Sequence, residues 1–223
     1  MSKYIFVPVG SFEQHGPHLP PDTDYLVAKK IVEVISRRFD GVIADGIKVG
    51  ISSEHEGFKN TKSINKDLFK NEIESYINNY RNNVKLIFLN AHGGNKKALN
   101  EVQANYREKI LVLNTFSIIK NDLKSIRTSE IGGICHACEF ETSLMLYLYP
   151  ELVKMKKLKK KHIKYVPVLD PNYEKEKIED WKTINYNKYG ILGDPFHASA
   201  TKGKLWFNIL IEKISALVSG FLN

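Results

Sequence analysis

The stretch from Gly10 to Asp24 (GSFEQHGPHLPPDTD) constrains this chain more than any other segment. Its carboxylate and imidazole side chains are those of Glu13, His15, His18, Asp22 and Asp24. Both groups are ligands for hard or borderline divalent metals. The glycines and prolines between them rule out a continuous helix or a long strand, so these side chains lie on an irregular loop. A polar surface loop with solvated charges is the competing interpretation, and the flanking segments bear on the choice.

The segments on either side indicate that this loop joins a strand to a helix. Tyr4–Val9 (YIFVPV) is a short apolar run rich in β-formers, which predicts a buried strand. Thr23–Phe39 has apolar residues at helical spacing, with Asp22 or Thr23 at the N-cap position. In open α/β sheets, sites form outside the carboxyl ends of the strands, where this loop would lie.

A second segment has the same order of strand, loop and helix. Val84–Leu89 predicts another buried strand, Asn90–Asn95 (NAHGGN) predicts a loop, and a helix is expected from Lys96 to about Glu108. His92 would then lie at the same sheet edge as the first loop. A hydrogen-bonded structural histidine is the alternative.

The third segment with ligand chemistry is Ile131–Tyr149. From Cys138 it predicts an apolar helix that ends at Pro150. Glu141 opens a largely apolar face, where an unpaired carboxylate would be costly. A metal would satisfy it, and so would capping of the helix or pairing with a lysine.

Four segments together resemble the signature segments of the creatininase (creatinine amidohydrolase) family: GSFEQHGPHLPPDTD, NAHGGN, HACEFETSLMLYLYP and GDPFHASATKGK. Their order also matches, and the resemblance extends from Val7 to about Lys204. It implies an α/β fold, a three-layer α/β/α sandwich with a mostly parallel central sheet, as a single domain over residues 1–223. It also implies a site for two divalent ions, and oxygen and nitrogen ligands fit Zn, Mn or Fe alike.

The resemblance assigns metal ligands residue by residue. The matching residues are Glu13, Asp24 and His92 for one ion, and His15 and Asp24 for the other. Asp24 should therefore bridge the two ions. Creatininase itself has a glutamate where this chain has Gly94, and we predict that Glu141 supplies the missing ligand. We prefer it to Glu139, whose neighbours one helical turn away are more polar.

The same resemblance assigns His136 as the catalytic proton shuttle. The segment Gly50–Ile64 resembles a substrate loop of the family, and Glu54, His55 and Thr61 are its candidate substrate-binding residues. Two ions that share a carboxylate can lower the pKa of a bridging water to about 7, and an imidazole can protonate the leaving nitrogen. The expected reaction is hydrolysis of an amide C–N bond.

Length and composition limit the remaining possibilities. A chain of 223 residues with 43% hydrophobic content can form one domain with a sizeable core. We find no signal-peptide pattern and no run of 18 apolar residues, so we expect a cytoplasmic protein without a membrane segment. A homo-oligomer, a hexamer by the family resemblance, is expected. A helix is predicted over Ala198–Leu222, with Gly203 interrupting its first turns. Residues 164–193 predict a surface excursion near the site mouth or a subunit contact.

Cys135 and Cys138 form a C-x-x-C pair. Two reduced thiols near a helix start are the preferred interpretation, and a regulatory disulfide is the main alternative.

The net charge of +8 is concentrated in Lys154–Lys164, which holds seven lysines. Binding of nucleic acid through this patch is the alternative from outside the enzyme class. A solvated face is preferred because the segment lacks arginines and interleaved aromatic residues.

Three substrates compete within the enzyme class. They are creatinine or another cyclic amide, a formamide on a ribosylated pyrimidine as in archaeal members of the family, and a bond in a modified precursor peptide. Gly94 weakens the case for creatinine. The chemical class of the amide substrate is therefore undecided among these three.

Overall fold

The architecture is a parallel sheet of four strands covered by helices on both faces. A computed structural model describes residues 3–81, 83–175 and 180–222. The strands are β1 (Tyr4–Val9), β2 (Val42–Ile43), β3 (Lys85–Asn90) and β4 (Ile110–Asn114). Their order in the sheet is β2-β1-β3-β4, and every pair is parallel. β1 and β3 pair over their full length, so their carboxyl ends lie side by side at Val9 and Asn90.

Alternation along the central strands divides the core in two. In β1, Phe6 packs on one face of the sheet, whereas Val7 and Val9 pack on the other. In β3, Ile87 belongs to the first core and Phe88 to the second. Because side chains of a strand point to opposite faces in turn, continuous apolar strands are what a sheet covered on both sides requires.

Seven α-helices cover the sheet within the described residues. They are α1 (Thr23–Arg38), α2 (Lys66–Asn79), α3 (Lys96–Asn105), α4 (Thr115–Ile126), α5 (Glu139–Leu148), α6 (Thr183–Tyr186) and α7 (Ala200–Leu222). Buried residues of α1, α4, α5 and α7 form the core on one face, and those of α2 and α3 form the core on the other. The expected three-layer α/β/α sandwich with a parallel central sheet is therefore confirmed.

The C-terminal helix α7 is continuous, and the prediction that Gly203 interrupts it is wrong. A Cβ at residue 203 would collide with the carbonyl oxygen of Ser143 and lie 3.0 Å from Cβ of Tyr147. The glycine is required because α7 crosses α5 at close range, not because the helix breaks. Within the described residues, α7 is long and apolar enough to span a membrane by length and composition alone. Its buried side chains, among them Trp206, Leu210 and Ile214, belong to the protein core.

Candidate metal centre

The loops after β1 and β3 and the start of α5 bring five side chains with ligand chemistry to one edge of the sheet. They are the residues predicted as metal ligands, namely Glu13, His15, Asp24, His92 and Glu141. All five are buried. The same short region also holds His55 and His136. Parallel strands end at a common edge, which is why separate segments of the chain meet here.

Three histidines share one hydrogen-bonding pattern. The acceptor is a backbone carbonyl in each case: His15 Nδ1 lies 3.1 Å from the oxygen of Glu13, His92 Nε2 lies 2.8 Å from that of Ile51, and His136 Nε2 lies 2.6 Å from that of Gln14. A carbonyl oxygen only accepts, so each of these ring nitrogens carries the proton. Burial lowers the pKa of His15 and His92, but the nearby carboxylates outweigh it and raise the pKa of His15 to about 9 and that of His92 well above its usual value. The other ring nitrogen is therefore a position for a cation, either a second proton or a metal ion in its place. This is the arrangement of histidines that bind metals, whose second nitrogen is anchored on a carbonyl or carboxylate.

The other ring nitrogens of His15 and His92 point at buried carboxylates. His15 Nε2 lies 3.3 Å from Asp24 Oδ1, and His92 Nδ1 lies 3.1 Å from Asp24 Oδ2 and 3.3 Å from Glu13 Oε1. Two ligands bound tetrahedrally at 2.0–2.1 Å from one zinc ion are about 3.3–3.4 Å apart. The two oxygens of Asp24 face different histidines, as a bridging carboxylate would. These donors therefore fit a pair of divalent ions.

Glu13 and Asp24 are ionised despite their burial. Burial raises the pKa of each carboxyl, but the histidines around them outweigh it, so the pKa of Glu13 is lowered and that of Asp24 lies well below its usual value. Neither carboxylate oxygen of Glu13 accepts a hydrogen bond from any described residue. Buried anionic oxygens without donors are costly unless a cation neutralises them, which again fits a metal.

Glu141 lies against His15 and His136, and the three form a group whose ligand atoms are within 4.8 Å of one another. Its Oε2 also accepts a hydrogen bond from the backbone N–H of Cys138 at 3.3 Å, so the capping alternative holds as well. Burial raises the pKa of Glu141 to about 7. Glu139 lies elsewhere: its carboxylate accepts from the backbone N–H groups of Thr128 and Ser129.

Gly94 cannot be replaced by a ligand-bearing residue in this backbone. A Cβ there would lie 2.7 Å from His92 Nε2 and 2.8 Å from Glu54 Oε1, and closer still to the carbonyl oxygen of Ile51. The glycine lets the carbonyl of Ile51 reach His92. A fifth side chain for the cluster must therefore come from another segment, and Glu141 is a carboxylate that the fold brings there.

The cluster forms the floor of a chamber of about 240 Å³. His55 and Glu54 line it, as a substrate-binding role requires. His55 Nε2 lies 3.3 Å from Glu13 Oε1, and Glu54 Oε1 lies 3.5 Å from His92 Nε2. Thr61 is outside the described lining, and its hydroxyl accepts a hydrogen bond from the backbone N–H of Gln14 at 3.1 Å. Through that contact Thr61 supports the backbone of the loop between β1 and α1.

The opposite wall comes in part from residues 164–193. Leu169, Pro171 and Trp181 face the cluster, with Cys135 beside them. This places the described part of residues 164–193 at the site mouth, one of the two predicted positions. Neither cysteine is disulfide-bonded in the described part of the chain, as the preferred interpretation expects.

A buried ion pair, which no pattern in the sequence indicates, joins this wall to the segment before His136. Asp170 accepts from Arg127 at 2.8 Å and from the backbone N–H of Gly132 at 2.7 Å and of Ile134 at 3.2 Å. An aspartate among loop residues carries no sequence signal for such a role.

His18 and Asp22, the other two polar residues of the first loop, are not part of the cluster. His18 Nε2 lies 2.9 Å from the hydroxyl of Thr142, and burial together with neighbouring histidines lowers the pKa of His18 to about 3. Asp22 occupies the N-cap position of α1 without a capping hydrogen bond from its side chain.

Comparisons with known proteins agree with this architecture. A family model described as creatininase, creatinine amidohydrolase, matches residues 1–218. A mycofactocin precursor peptide peptidase of Mycolicibacterium smegmatis is 31% identical over 219 residues, which cover 95% of this chain and 83% of the relative. The creatinine amidohydrolase of Pseudomonas putida is 24% identical over 232 residues, covering 95% and 86%. A crystal structure of creatinine amidohydrolase superposes with a TM-score of 0.79 at 22% identity and covers 97% of this chain and 89% of that one. The chain therefore belongs to the creatininase family of hydrolases.

Proposed function

We propose that this protein is a two-metal amidohydrolase that cleaves a C–N bond in a peptide-like amide. The observation that carries the proposal is the shared pattern of the histidines. His15 and His92 each donate one ring N–H to a carbonyl and direct the other nitrogen at a buried carboxylate. A carboxylate oxygen this close to the second ring nitrogen requires a cation between them, and anchoring of the first nitrogen on a carbonyl is typical of metal-binding histidines.

The proposed ligands are Glu13, Asp24 and His92 for one ion, and His15, Asp24 and Glu141 for the other. Zn or Mn are the preferred metals, because related creatininase structures are described as a Zn-Zn type and as a Mn form. Metals bound in such a site supply Lewis acidity and an activated water.

His136 is proposed to move the proton. Burial and the neighbouring His55 and His15 hold its pKa well below the usual value, so the imidazole is neutral before the reaction. Its backbone is fixed by reciprocal hydrogen bonds with Leu192 at 2.8 and 2.9 Å, and its Nε2 donates to the carbonyl of Gln14. Its Nδ1 therefore faces the chamber floor, 3.6 Å from Glu13 Oε1. This nitrogen can take a proton there and pass it to the leaving nitrogen of the amide.

A peptide-like amide is preferred to creatinine. The relative at 31% identity is described as a peptidase, and the creatinine amidohydrolase is at 24%. Gly94 also leaves no room for the side chain that creatininase has at this position.

Two measurements test the proposal. Elemental analysis of protein purified without chelator should find two divalent ions per chain, and Asp24→Ala should lose both, whereas His15→Ala should lose mainly one. The metal-loaded protein should then hydrolyse peptides faster than creatinine or a formamidopyrimidine. Less than one equivalent of metal, unchanged in Asp24→Ala, would refute the two-metal site.

His136→Ala separates the roles of proton transfer and metal binding. We expect the metal content to stay at the wild-type value while kcat falls about 10²- to 10⁴-fold, the usual range for a lost general acid or base. Loss of metal in proportion to activity would show that His136 is a ligand.

A further inference from the structure

A groove opens from the metal chamber and extends over the start of α3 and the short helix α6. Its volume is about 930 Å³, against about 240 Å³ for the chamber, and the two share Glu54, Gly93 and Trp181 in their walls. Sites for small molecules usually measure about 300–1,000 Å³. The chamber is thus below that range, and the groove is near its upper end. A substrate that occupies both is much larger than a single cyclic amide.

The surface of the groove suits an extended chain with polar backbone groups. Ser53 and Asn185 offer hydrogen-bonding side chains, and the indole of Trp181 offers an apolar face beside the chamber. Gly93 forms part of the floor, and a Cβ built there would meet nothing within 4 Å. A floor without a side chain lets the backbone of another chain approach closely.

The three lysines of the groove differ in their partners. Lys66 Nζ is bonded to Glu101 at 2.6 Å, and Lys182 Nζ is bonded to the carbonyl oxygen of Ser53 at 2.8 Å and to Glu56. Lys97 is exposed and has no ion-pair partner within the described chain. Glu54 and Asp180 also line the groove, so Lys97 is the position in its described lining where an anionic group of a ligand can be paired.

We propose that this groove binds the polypeptide segment next to the scissile amide, and that Lys97 pairs with a carboxylate of that segment. The inference rests on the proposed hydrolase function and specifies its substrate as a peptide of several residues. The carboxylate can be an acidic side chain or the carboxyl terminus, and both present the same charge to Lys97.

The test compares a dipeptide amide with hexapeptides that share the same cleaved bond. The hexapeptides carry either glutamate or glutamine, and either a free or an amidated carboxyl terminus, so the source of the carboxylate is identified. We expect kcat/KM of the metal-loaded protein to rise at least about 10-fold from dipeptide to hexapeptide, because remote contacts contribute to transition-state binding. Equal values at both lengths would overturn the inference.

Charge reversal then tests the role of Lys97. Lys97→Glu should raise KM about 2- to 5-fold for peptides with the carboxylate, leave the fully amidated glutamine peptide unaffected, and leave kcat unchanged, as expected for loss of one exposed ion pair. Lys96→Glu is the matched control, since it makes the same charge change on a neighbouring exposed residue outside the groove lining. The same KM change in both variants would show a general charge effect and contradict the pairing.

A binding measurement separates failure of this inference from failure of the proposed function. Trp181 lines the groove, whereas Trp206 is fully buried in the core, so a rapid change of tryptophan fluorescence on mixing with peptide reports Trp181. Trp181→Phe should abolish that signal. Length-dependent binding without hydrolysis of any amide would leave the groove assignment standing and refute the hydrolase. Hydrolysis of creatinine without peptide binding would support the hydrolase function and refute the groove assignment.

Discussion

Replacing Gly94 by alanine should damage the metal centre through one hydrogen bond. The new Cβ would lie 2.7 Å from His92 Nε2, where ordinary contact begins at 3.4 Å, and nearer still to the carbonyl oxygen of Ile51. These two atoms form the 2.8 Å hydrogen bond that fixes the tautomer of His92. The methyl group would therefore push apart the donor and acceptor of the bond that orients a proposed ligand.

The size of the effect follows from the two terms involved. Overpacking a close contact costs about 1–3 kcal/mol, and the lost hydrogen bond costs about 0.5–1.5 kcal/mol. The sum is about 1.5–4.5 kcal/mol of unfolding free energy, or a fall in Tm of roughly 3–18 °C for a chain of this length. Disturbing the partner of a metal-bound histidine lowers metal affinity by about 10- to 100-fold. Gly94→Ala should show both losses.

Gly93→Ala is the control for this prediction. The adjacent glycine has open space within 4 Å of its added Cβ, so alanine there should change stability by less than about 1 kcal/mol and leave metal affinity unchanged. Thermal unfolding with and without chelator, together with a metal titration by competition with a coloured chelator, measures both quantities. If Gly94→Ala matches Gly93→Ala in Tm and in metal affinity, the reasoning about the Ile51–His92 contact is refuted.

Three further predictions concern packing, the second ion and the chamber wall. Gly203→Ala should lower the unfolding free energy by about 1–3 kcal/mol in urea denaturation because its Cβ would collide with α5. Gly220→Ala, which has open space around it, should raise the unfolding free energy by up to about 1 kcal/mol, and the reverse order would contradict the described crossing. Glu141→Gln keeps an oxygen that can cap α5 but removes the negative charge. Elemental analysis should therefore find about one ion per chain instead of two, at a nearly unchanged Tm. Two retained ions would exclude Glu141 as a ligand. Asp170→Asn leaves the buried Arg127 without its ion pair and should lower the unfolding free energy, measured by urea denaturation, by about 3–5 kcal/mol. Glu174→Gln removes an exposed ion pair and should lower it by less than about 1 kcal/mol. Equal effects would show that the buried ion pair does not stabilise the fold more than the exposed one.

The sequence predicted those parts of the structure that have a strong local pattern. The apolar run of β1 and the spacing of α1 were recovered at their observed bounds within a residue. β3 was predicted one residue early, and the helix α3 ended at Asn105 instead of continuing to about Glu108. Gln103 and Tyr106 close that end through a backbone hydrogen bond, a choice that periodicity does not encode.

The choice of Glu141 over Glu139 shows what local pattern can and cannot decide about the site. The apolar neighbours one turn away favoured Glu141, whose carboxylate lies within 4.8 Å of ring nitrogens of His15 and His136. The partners of Glu139, which include Lys202 from α7, could not be foreseen because they lie in distant segments. The same is true of Gly203, whose requirement arises from the crossing of two helices, and of Asp170, whose partners come from another loop.

The donor set of the candidate metal centre is distributed between Glu13 and Glu141, so no early fragment of the chain contains it. Parallel pairing of β1 with β3 joins residues that are far apart in the sequence, and such long-range pairing makes folding slow. During synthesis, the first loop emerges long before α5 and must wait for β3 and for the start of that helix. An ion captured earlier would have only the ligands of the first loop. Metal incorporation should therefore be a late event that reports a completed sheet, and a refolding experiment should show the metal-binding signal after most of the secondary structure has appeared.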